Sequence, residues 1–336
     1  MQAIILVGGE GTRLRPLTYE MPKQMLPLLG SPMIEHVFAS MAQHGVTEII
    51  LSLGYLPDRF VEAYPDGHIG DVKITYVTEP TPLDTAGAIR FAALQAGVTE
   101  TFFVVNGDVL TDLDLTALLA FHRSHHAEAT IALHPVEDPS RFGVVPTDEE
   151  GRVLAFVEKP PRDEAPTNLI NAGTYIFEPS VLDRIAPEGR VSVERVTFPA
   201  LAADGVLFAM PDNAYWLDTG TPTAFLQANI DLLARGADGV VDGNWIHPEA
   251  TVHPDARVEH SVIDRGCVLE AGAVVRDSVL LPNVTVGADA QLAHSLIGRA
   301  AAIGERVRLG ATCVVDCDFV VSADSSFDGD TSLSNR

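Results

Sequence analysis

Leu6-Val7-Gly8-Gly9-Glu10-Gly11-Thr12-Arg13-Leu14-Arg15-Pro16 follows directly on an apolar, β-branched stretch from Gln2 to Val7, which we predict to be a strand. Glycines let backbone N–H groups approach a ligand closely, and a run of such groups forms a cradle for anions. Two cations follow in Arg13 and Lys23. A strand, a glycine loop and cations together predict a phosphate-binding loop. It is not a P-loop, because no Gly-Lys-Ser/Thr follows the glycines.

The wording of this stretch, Gly-Gly-x-Gly-Thr-Arg-Leu-x-Pro-Leu-Thr followed by Pro-Lys-x-x-Leu-Pro, resembles the signature of the sugar-1-phosphate nucleotidylyltransferases. The resemblance implies transfer of a nucleotidyl group from an NTP to a sugar 1-phosphate, with release of pyrophosphate. It implies that Arg13, Lys23 and Asp108 are catalytic. The nucleotide-binding residues that it implies are Leu6, Gly8, Gly9, Gly11, Thr12, Arg13, Lys23, Glu79, Thr85 and Gly107.

Composition limits the partners of the chain. Its 336 residues carry a formal net charge of −24, which argues against nucleic acid or an anionic membrane surface as a partner. Only three lysines occur, at positions 23, 73 and 159, so each should be a local positive site. The three cysteines form no disulfide framework. With no targeting signal or long apolar run, we expect a cytoplasmic protein.

Residues 1–235 alternate predicted strands with predicted helices. The further strands expected are Thr47–Leu53, Val72–Val77, Thr101–Val105 and Ala129–Leu133. The helices expected are one that Ser31 caps and Pro32 begins, Thr85–Gln95 between Asp84 as cap and Gly97 as stop, Leu113–His126 and Thr221–Ala234. Such alternation predicts an α/β, Rossmann-like, mostly parallel sheet with ligands beyond the carboxyl ends of its strands.

From Ile246 onward the apolar period changes to six. The predicted inward positions are Ile246, Val252 and Val258, then Val262, Val268, Val274, Leu280, Val286 and Leu292, then Ile297, Ile303, Leu309 and Val315. This resembles the hexapeptide repeat of a left-handed parallel β-helix. We therefore predict a nucleotidyltransferase domain (1–235), a linker (236–245), a β-helix (246–322) that mediates homo-oligomer contacts, and a mobile tail (323–336).

Two aspartates fit a metal site. Asp108, in Asn106-Gly107-Asp108, follows an apolar strand, and Asp218 lies in Trp216-Leu217-Asp218-Thr219-Gly220. Both motifs resemble the metal motifs of the family. Carboxylates, waters and phosphate oxygens suit an octahedral hard cation, so the cofactor expected is Mg²⁺.

A second group of residues resembles the sugar-phosphate site of the family. Glu158 can accept hydrogen bonds from sugar hydroxyls, Lys159 can neutralise the sugar phosphate, and the Asn171 amide can do both jobs of donor and acceptor. Gly173 would let the backbone pack close to the ring, and Gly143 belongs to a strand that resembles a sugar-contact strand.

The base-reading loop of the family aligns with Thr78-Glu79-Pro80-Thr81-Pro82-Leu83-Asp84-Thr85-Ala86-Gly87. Pyrimidine-specific members place a glutamine near Glu79. A carboxylate only accepts hydrogen bonds, which suits the N1–H and N2–H₂ donors of guanine. The full pattern most resembles mannose-1-phosphate guanylyltransferase, so GTP and mannose 1-phosphate are the expected substrates. Asp84 departs from the usual glycine, and we interpret it as a helix cap.

Three alternatives stay open. One is a glucose-1-phosphate uridylyl- or thymidylyltransferase. Another is a non-catalytic subunit that binds nucleotide sugar, although Arg13, Lys23 and Asp108 are intact. The third is a second, acyltransferase activity on the β-helix, for which His253, His260 and His294 qualify only by residue type.

Overall fold

The computed structural model describes residues 1–336. The α-helices are α1 Met33–Gln43, α2 Asp58–Ala63, α3 Asp84–Ala96, α4 Leu115–Ser124, α5 Phe198–Ala203 and α6 Pro222–Ala234. The strands up to Asp218 are β1 Gln2–Leu6, β2 Pro27–Leu28, β3 Ser31–Pro32, β4 Glu48–Leu53, β5 His68–Ile69, β6 Val72–Thr78, β7 Phe102–Asn106, β8 Val109–Thr111, β9 Ala129–Pro135, β10 Gly143–Val144, β11 Val157–Glu158, β12 Leu169–Phe177, β13 Leu207–Pro211 and β14 Trp216–Asp218.

The remaining strands are two or three residues long. They are β15 Val240–Val241, β16 Asn244–Ile246, β17 Thr251–Val252, β18 Arg257–Glu259, β19 Val262–Ile263, β20 Val268–Leu269, β21 Val274–Arg276, β22 Val279–Leu280, β23 Thr285–Val286, β24 Gln291–Ala293, β25 Ser295–Ile297, β26 Ala302–Ile303, β27 Arg308–Leu309, β28 Cys313–Val315, β29 Val320–Val321, β30 Ser326–Phe327 and β31 Thr331–Leu333. No helix of the chain is both long and apolar enough to cross a membrane.

The chain divides into two compact units. The first comprises Met1–Gly9 and Ile34–Trp216, and the second comprises Glu10–Met33 and Leu217–Arg336. The segment that contains Arg13 and Lys23 therefore groups with the C-terminal residues, a division that the predicted domain boundaries do not anticipate.

A ten-stranded sheet forms the first unit, in the order β11-β10-β12-β7-β1-β4-β6-β5, with β9 pairing with β12 and β13. The central strands β7, β1, β4 and β6 are parallel, and β12 runs antiparallel to β7. This confirms the expected Rossmann-like sheet. Its core includes four buried aromatic residues, in which Phe102 meets Phe177 and Tyr175 meets Phe198 edge to face.

The predicted helix start at Ser31-Pro32 is wrong. These two residues pair with Leu28 and Pro27 in a small hairpin, and helix α1 begins at Met33. Leu29 and Gly30 at the turn have positive φ angles of 46° and 80°. Two successive positive φ angles are typical of the tight turns that join hairpin strands, so Gly30 closes a hairpin here.

Helix α4 begins at Leu115, two residues later than predicted, because Asp114 is its N-cap. The backbone of Asp114 is extended, and its side chain accepts hydrogen bonds from the N–H groups of Thr116 and Ala117. At α6, Thr221 is the cap and Pro222 the first residue. Gly97, with φ of 68°, ends α3 as predicted.

The second unit contains a parallel β-helix with three sheets, one of seven strands and two of five. Ile263 pairs with Leu280, and Leu280 pairs with Ile297, so these two coils take 17 residues each, whereas the later pairing of Ile297 with Val315 spans 18 residues. The predicted period of six therefore shortens to five once in each 17-residue coil and is kept after Ile297. As a result, the inward residues of β20 and β21 are Leu269 and Val275, whereas the predicted Val268 is 38% exposed.

Three buried serines explain the shortened corner. The N–H of Ser278 donates to Ser261 Oγ (3.1 Å), and the N–H of Ser295 donates to Ser278 Oγ (3.0 Å). Each hydroxyl in turn donates to the carbonyl two residues before it. In each case a serine hydroxyl accepts the hydrogen bond from a backbone N–H group, in place of the backbone carbonyl that a six-residue side of the coil would supply.

Residues at both ends of the predicted β-helix are also ordered into strands. Within the predicted linker, β15 and β16 form a hairpin around Asp242 and Gly243, which both have positive φ. Beyond Ser322, β30 and β31 pair with β27 and β28, so the structure continues the coil through residues for which we predicted a mobile tail.

Candidate functional site

One edge of the ten-stranded sheet collects the predicted residues of the first unit. Since β1, β4, β6 and β7 are parallel, the residues that follow them, Gly8, Gly54, Glu79 and Gly107, lie at the same edge. Strand β12 is antiparallel to β7, so its beginning, near Asn171, lies at that edge as well. The sequence predicts this edge but does not identify Gly54.

Glu79 faces Gly8, which lies two residues after the end of β1. A Cβ atom on Gly8 would lie 3.2 Å from Glu79 Oε1, and one on Gly54 would lie 2.9 Å from the Gly8 carbonyl oxygen. Glu79 Oε2 accepts from the N–H of Leu83 (3.0 Å), and Ser52 Oγ lies 3.4 Å from Oε1. Burial raises the pKa of Glu79 despite these donors. The carboxylate is therefore fixed at one oxygen, while the other faces Gly8 and Ser52.

Thr85, predicted to bind nucleotide, uses its hydroxyl within the chain. It donates to Glu194 Oε2 (2.8 Å) and accepts from the N–H of Val193 (2.8 Å). Asp84 has φ of 61° and accepts from the adjacent N–H of Thr85, so it does not cap α3 in the expected way; the cap position is Leu83.

Residues 191–194 support the base-reading loop, a role that the sequence does not predict. The Val191 carbonyl accepts from the N–H groups of Ala86 and Gly87, which would otherwise be unpaired at the start of α3. No local pattern indicates that residues a hundred positions later stabilise the base-reading loop.

Gly107 and Asp108 form the turn between β7 and β8. A Cβ on Gly107 would lie 2.7 Å from Val7 Cγ1, so only glycine fits beside β1. Leu6, the last residue of β1, pairs with Asn106 just before this turn, and its carbonyl accepts from the N–H of Gly107 (3.1 Å). Asp108 is half-buried immediately after it.

The predicted sugar-site residues Gly143 and Glu158 are direct partners of neighbouring antiparallel strands. A Cβ on Gly143 would lie 2.4 Å from Phe156 Cζ, so the ring occupies the space that a side chain would need. Lys159 Nζ lies 3.2 Å from Glu158 Oε1, and the lysine side chain is 60% exposed. The pair presents a carboxylate and an exposed cation side by side.

Asn171 and Gly173 lie at an irregularity in β12. The Asn171 amide donates to Tyr175 Oη (2.9 Å) and accepts from the N–H of Gly173 (2.9 Å). Gly173 has φ of 76°, and a Cβ there would lie 2.6 Å from Asn106 Nδ2. The amide of Asn171 thus shapes this bend, and these two contacts use one of its two N–H groups and one lone pair of its oxygen.

In the second unit, the glycine loop continues into two short 3-10 turns, Thr12–Leu14 and Lys23–Met25. Gly9 and Thr12 are exposed. Gly11 has φ of 62°, and a Cβ there would lie 3.2 Å from both Lys23 Cβ and Thr18 Cγ2. Thr18 Oγ1 donates to the Gly11 carbonyl (2.8 Å), which ties the glycine loop to the residues between Arg13 and Lys23.

Arg13 lies next to Asp218, a pairing that the separate motifs do not predict. Arg13 Nη2 is 3.8 Å from Asp218 Oδ2, and Asp218 Oδ1 accepts from the N–H of Gly220 (2.9 Å). A Cβ on Gly220 would lie 2.5 Å from Arg13 Nη2, so this glycine leaves room for the guanidinium. Arg13 is 54% exposed and can still meet a phosphate.

Protein side chains alone would supply only some of the ligands that a hard divalent cation needs. No group of three or more His, Cys, Asp or Glu side chains is arranged to hold a metal ion. Asp108 and Asp218 each offer carboxylate oxygens, the donor type that Mg²⁺ prefers, and Mg²⁺ sites at phosphates typically use one or two carboxylates with substrate oxygens.

Comparison with known proteins places the chain in a family. Residues 2–235 match the nucleotidyl transferase family, and residues 240–336 match the GMPPB C-terminal domain. A mannose-1-phosphate guanylyltransferase of Mycobacterium tuberculosis is 43% identical over 301 residues, covering 82% of this chain and 83% of the relative. The mannose-1-phosphate guanylyltransferase catalytic subunit beta of Dictyostelium discoideum is 37% identical, covering 100% of this chain and 96% of the relative.

Among solved structures, HddC from Yersinia pseudotuberculosis complexed with GMP-PN is 30% identical, with a TM-score of 0.59, covering 69% of this chain and 99% of that chain. Enzymes of this kind generally use a divalent metal ion. The chain therefore belongs to the nucleotidyl transferase family, in which the relatives described above are mannose-1-phosphate guanylyltransferases.

Proposed function

We propose that this chain transfers the guanylyl group of GTP to mannose 1-phosphate, giving GDP-mannose and pyrophosphate. The observation that carries the choice of base is Glu79, a half-buried carboxylate beside Gly8 with one oxygen turned toward the end of β1. It supplies an acceptor where guanine presents donors. The names of the relatives support both substrates.

In the proposed reaction a phosphate oxygen of the sugar phosphate attacks the α-phosphorus of GTP, and the bond to the β-phosphate oxygen breaks. Arg13 and Lys23 bind the triphosphate and neutralise the leaving pyrophosphate. Little covalent chemistry is required, so charge neutralisation and orientation account for the rate.

Asp108 and Asp218 are the residues that we assign to a divalent metal, which we propose to be Mg²⁺. When bound, the ion supplies positive charge to phosphate oxygens. The assignment rests on the two motifs and on the carboxylate donors, and the Arg13 guanidinium that we assign to the triphosphate lies 3.8 Å from Asp218.

For the sugar phosphate, we propose that Glu158 accepts from ring hydroxyls and that Lys159 pairs with the phosphate. The exposed Lys159 Nζ can turn from Glu158 to an incoming anion at little cost, because an exposed ion pair is worth only about 1 kcal/mol or less. Gly143, Asn171 and Gly173 shape the backbone around the ring. We further propose that the β-helix mediates a homo-oligomer.

The direct test is a panel of GTP, UTP and dTTP against mannose and glucose 1-phosphates, read as pyrophosphate release. GTP with mannose 1-phosphate should be preferred; preference for UTP or dTTP with glucose 1-phosphate would replace this proposal with the alternative substrates. Absence of any turnover would favour the non-catalytic alternative.

The metal assignment is tested with Asp108→Asn, which should cut kcat by orders of magnitude without loss of fold. Asp66→Asn, at an exposed aspartate, is the matched control and should keep normal turnover. Near-normal activity in Asp108→Asn would refute the assignment.

A further inference from the structure

The segment Glu10–Met33, which we call the phosphate loop, has little regular structure of its own. It consists of two 3-10 turns and one two-stranded hairpin. Most of its internal backbone hydrogen bonds close single turns, such as Leu17 N–H to the Leu14 carbonyl and Tyr19 N–H to the Pro16 carbonyl. Contacts with the rest of the second unit therefore contribute to the positions of these turns, and with them to those of Arg13 and Lys23.

The end of the phosphate loop after Lys23 is held firmly. The N–H of Leu29 donates to the fully buried Asn229 side chain (3.3 Å), whose amide donates back to the Phe225 carbonyl (3.0 Å). The ring of Trp245 fills the space over Gly30, where a Cβ would lie 2.3 Å from Cη2. Helix α6 and the first β-helix coil thus fix the hairpin.

The middle of the phosphate loop is held by Arg336. Its guanidinium pairs with Glu20 and lies 5.0 Å from the centroid of the Tyr19 ring. Arg15 approaches the same ring at 5.3 Å. The backbone N–H of Arg336 donates to Ser334 Oγ (3.1 Å), so the arginine is tied to the last coil.

The last coil anchors this arrangement in turn. Ser334 Oγ donates to Asp316 Oδ2 (2.7 Å), and Asp316 Oδ1 accepts from the N–H of Cys317 (2.8 Å). Asp316 itself is 8% exposed. A chain of hydrogen bonds therefore runs from a buried β-helix carboxylate to the backbone N–H of Arg336, the residue whose guanidinium meets Tyr19 and Glu20.

We propose that Arg336 is a positioning residue for the phosphate loop, acting on Arg13 and Lys23 through Tyr19 and Glu20. Tyr19 and Glu20 lie between the two cations in sequence, so a shift at this point moves the segments that carry both. The role of the loop in triphosphate binding rests on the proposed function. On this assignment the β-helix contributes to substrate binding as well as to assembly.

Arg336→Glu tests the proposal, because it reverses one charge of the ion pair and removes one of the two cations beside the Tyr19 ring. We expect the KM for the NTP to rise about threefold to tenfold, the size that an exposed ion pair plus a cation–π contact supports. The KM for the sugar 1-phosphate should not change. Amide hydrogen exchange in residues 17–22 should accelerate.

The double variant Glu20→Arg/Arg336→Glu restores an ion pair with reversed polarity and should recover most of the KM and of the exchange protection. Arg306→Glu is the matched control, since Arg306 pairs with Asp324 on the same β-helix (2.7 Å) away from the loop. It should leave both measurements unchanged.

Unchanged KM and unchanged exchange in Arg336→Glu would overturn the proposal, as would a double variant no better than the single one. If the wild-type protein turns over no NTP, the proposed function fails, but the exchange measurement still decides whether Arg336 orders the loop.

Discussion

Glu79 is the residue on which the choice of base depends. Because Oε2 is tied to the N–H of Leu83, a glutamine in its place would keep its oxygen there and turn its NH₂ toward Gly8 and Ser52. A donor would then face the donor edge of guanine. An unpaired buried polar group costs about 1–3 kcal/mol, so Glu79→Gln should lower the ratio of kcat/KM for GTP over UTP by about 5–150-fold.

The same variant has a second expected outcome in the absence of nucleotide. Since burial raises the pKa of Glu79, the charged form is disfavoured in the folded protein. Neutral glutamine should therefore raise the Tm of the free protein at pH 7. Glu100→Gln, at an exposed glutamate, should change neither the Tm nor the ratio of kcat/KM for GTP over UTP. A GTP preference that survives in Glu79→Gln would move base recognition to the backbone at Leu6–Gly9.

His122 makes stability depend on pH at a distance from the sugar-site residues. Its buried ring contacts Thr130 Oγ1 (2.8 Å) and Glu178 Oε1 (3.0 Å). Burial lowers the pKa of His122 more than Glu178 raises it. The unfolded chain, with a histidine pKa of about 6.5, therefore binds the proton more readily, and stability should fall as the pH drops below about 6.5.

Urea unfolding at pH 7 and pH 5 measures this effect. The loss of unfolding free energy between the two pH values should be smaller in His122→Gln than in the wild type, whereas the exposed His68→Gln should lose as much as the wild type. An equal loss in His122→Gln would show that other groups carry the pH dependence.

At the scale of elements, the corner of the β-helix coil rests on its serine column. In Ser278→Ala, the N–H of Ser295 loses the oxygen that accepts it, inside the coil where water cannot replace it. The free energy of unfolding should fall by about 1–3 kcal/mol. Ser322→Ala, at an exposed serine, should lose much less. Equal effects in the two variants, measured by chemical denaturation, would contradict the role of the column.

The elements also show what local patterns can and cannot predict. The strand ends, the glycine loop and the six-residue period were all predictable, because each reflects short-range stereochemistry or apolar spacing. The 17-residue coil is not predictable in this way, since the loss of one residue per coil depends on a serine hydroxyl that accepts a hydrogen bond from the backbone of the next coil. Likewise, no local pattern predicts that the hydroxyl of Thr85 bonds to Val193 and Glu194, more than a hundred positions later.

At the scale of the whole molecule, local sequence patterns do not predict the division into two units, because contacts between distant residues decide it. The phosphate loop groups with the C-terminal residues through contacts such as Leu29 with Asn229 and Gly30 with Trp245, each about two hundred positions apart. Nothing in the signature indicates that its loop needs these distant partners, although the signature predicts the chemistry of the loop itself.

The proposed oligomer should use one particular face of the β-helix. The outward residues of one side (262, 279, 296 and 314) are buried, and α6 packs on that side at β25. A second side carries Arg257 and Arg308. The third presents an uncharged column in which Val268 and Val320 are 38% and 66% exposed. Two copies that each carry a net charge of −24 repel one another, so this neutral column is the face on which a second copy can bind.

Val320→Glu should therefore lower the mass measured by light scattering, because it buries an unpaired charge at the contact and adds to the repulsion. Ser326→Glu adds the same charge on the second side and should keep the wild-type mass. A monomeric wild type would refute the oligomer itself. A loss of mass in Ser326→Glu alone would move the contact to the charged side, where pairs such as Glu259 with Arg276 could be shared between copies.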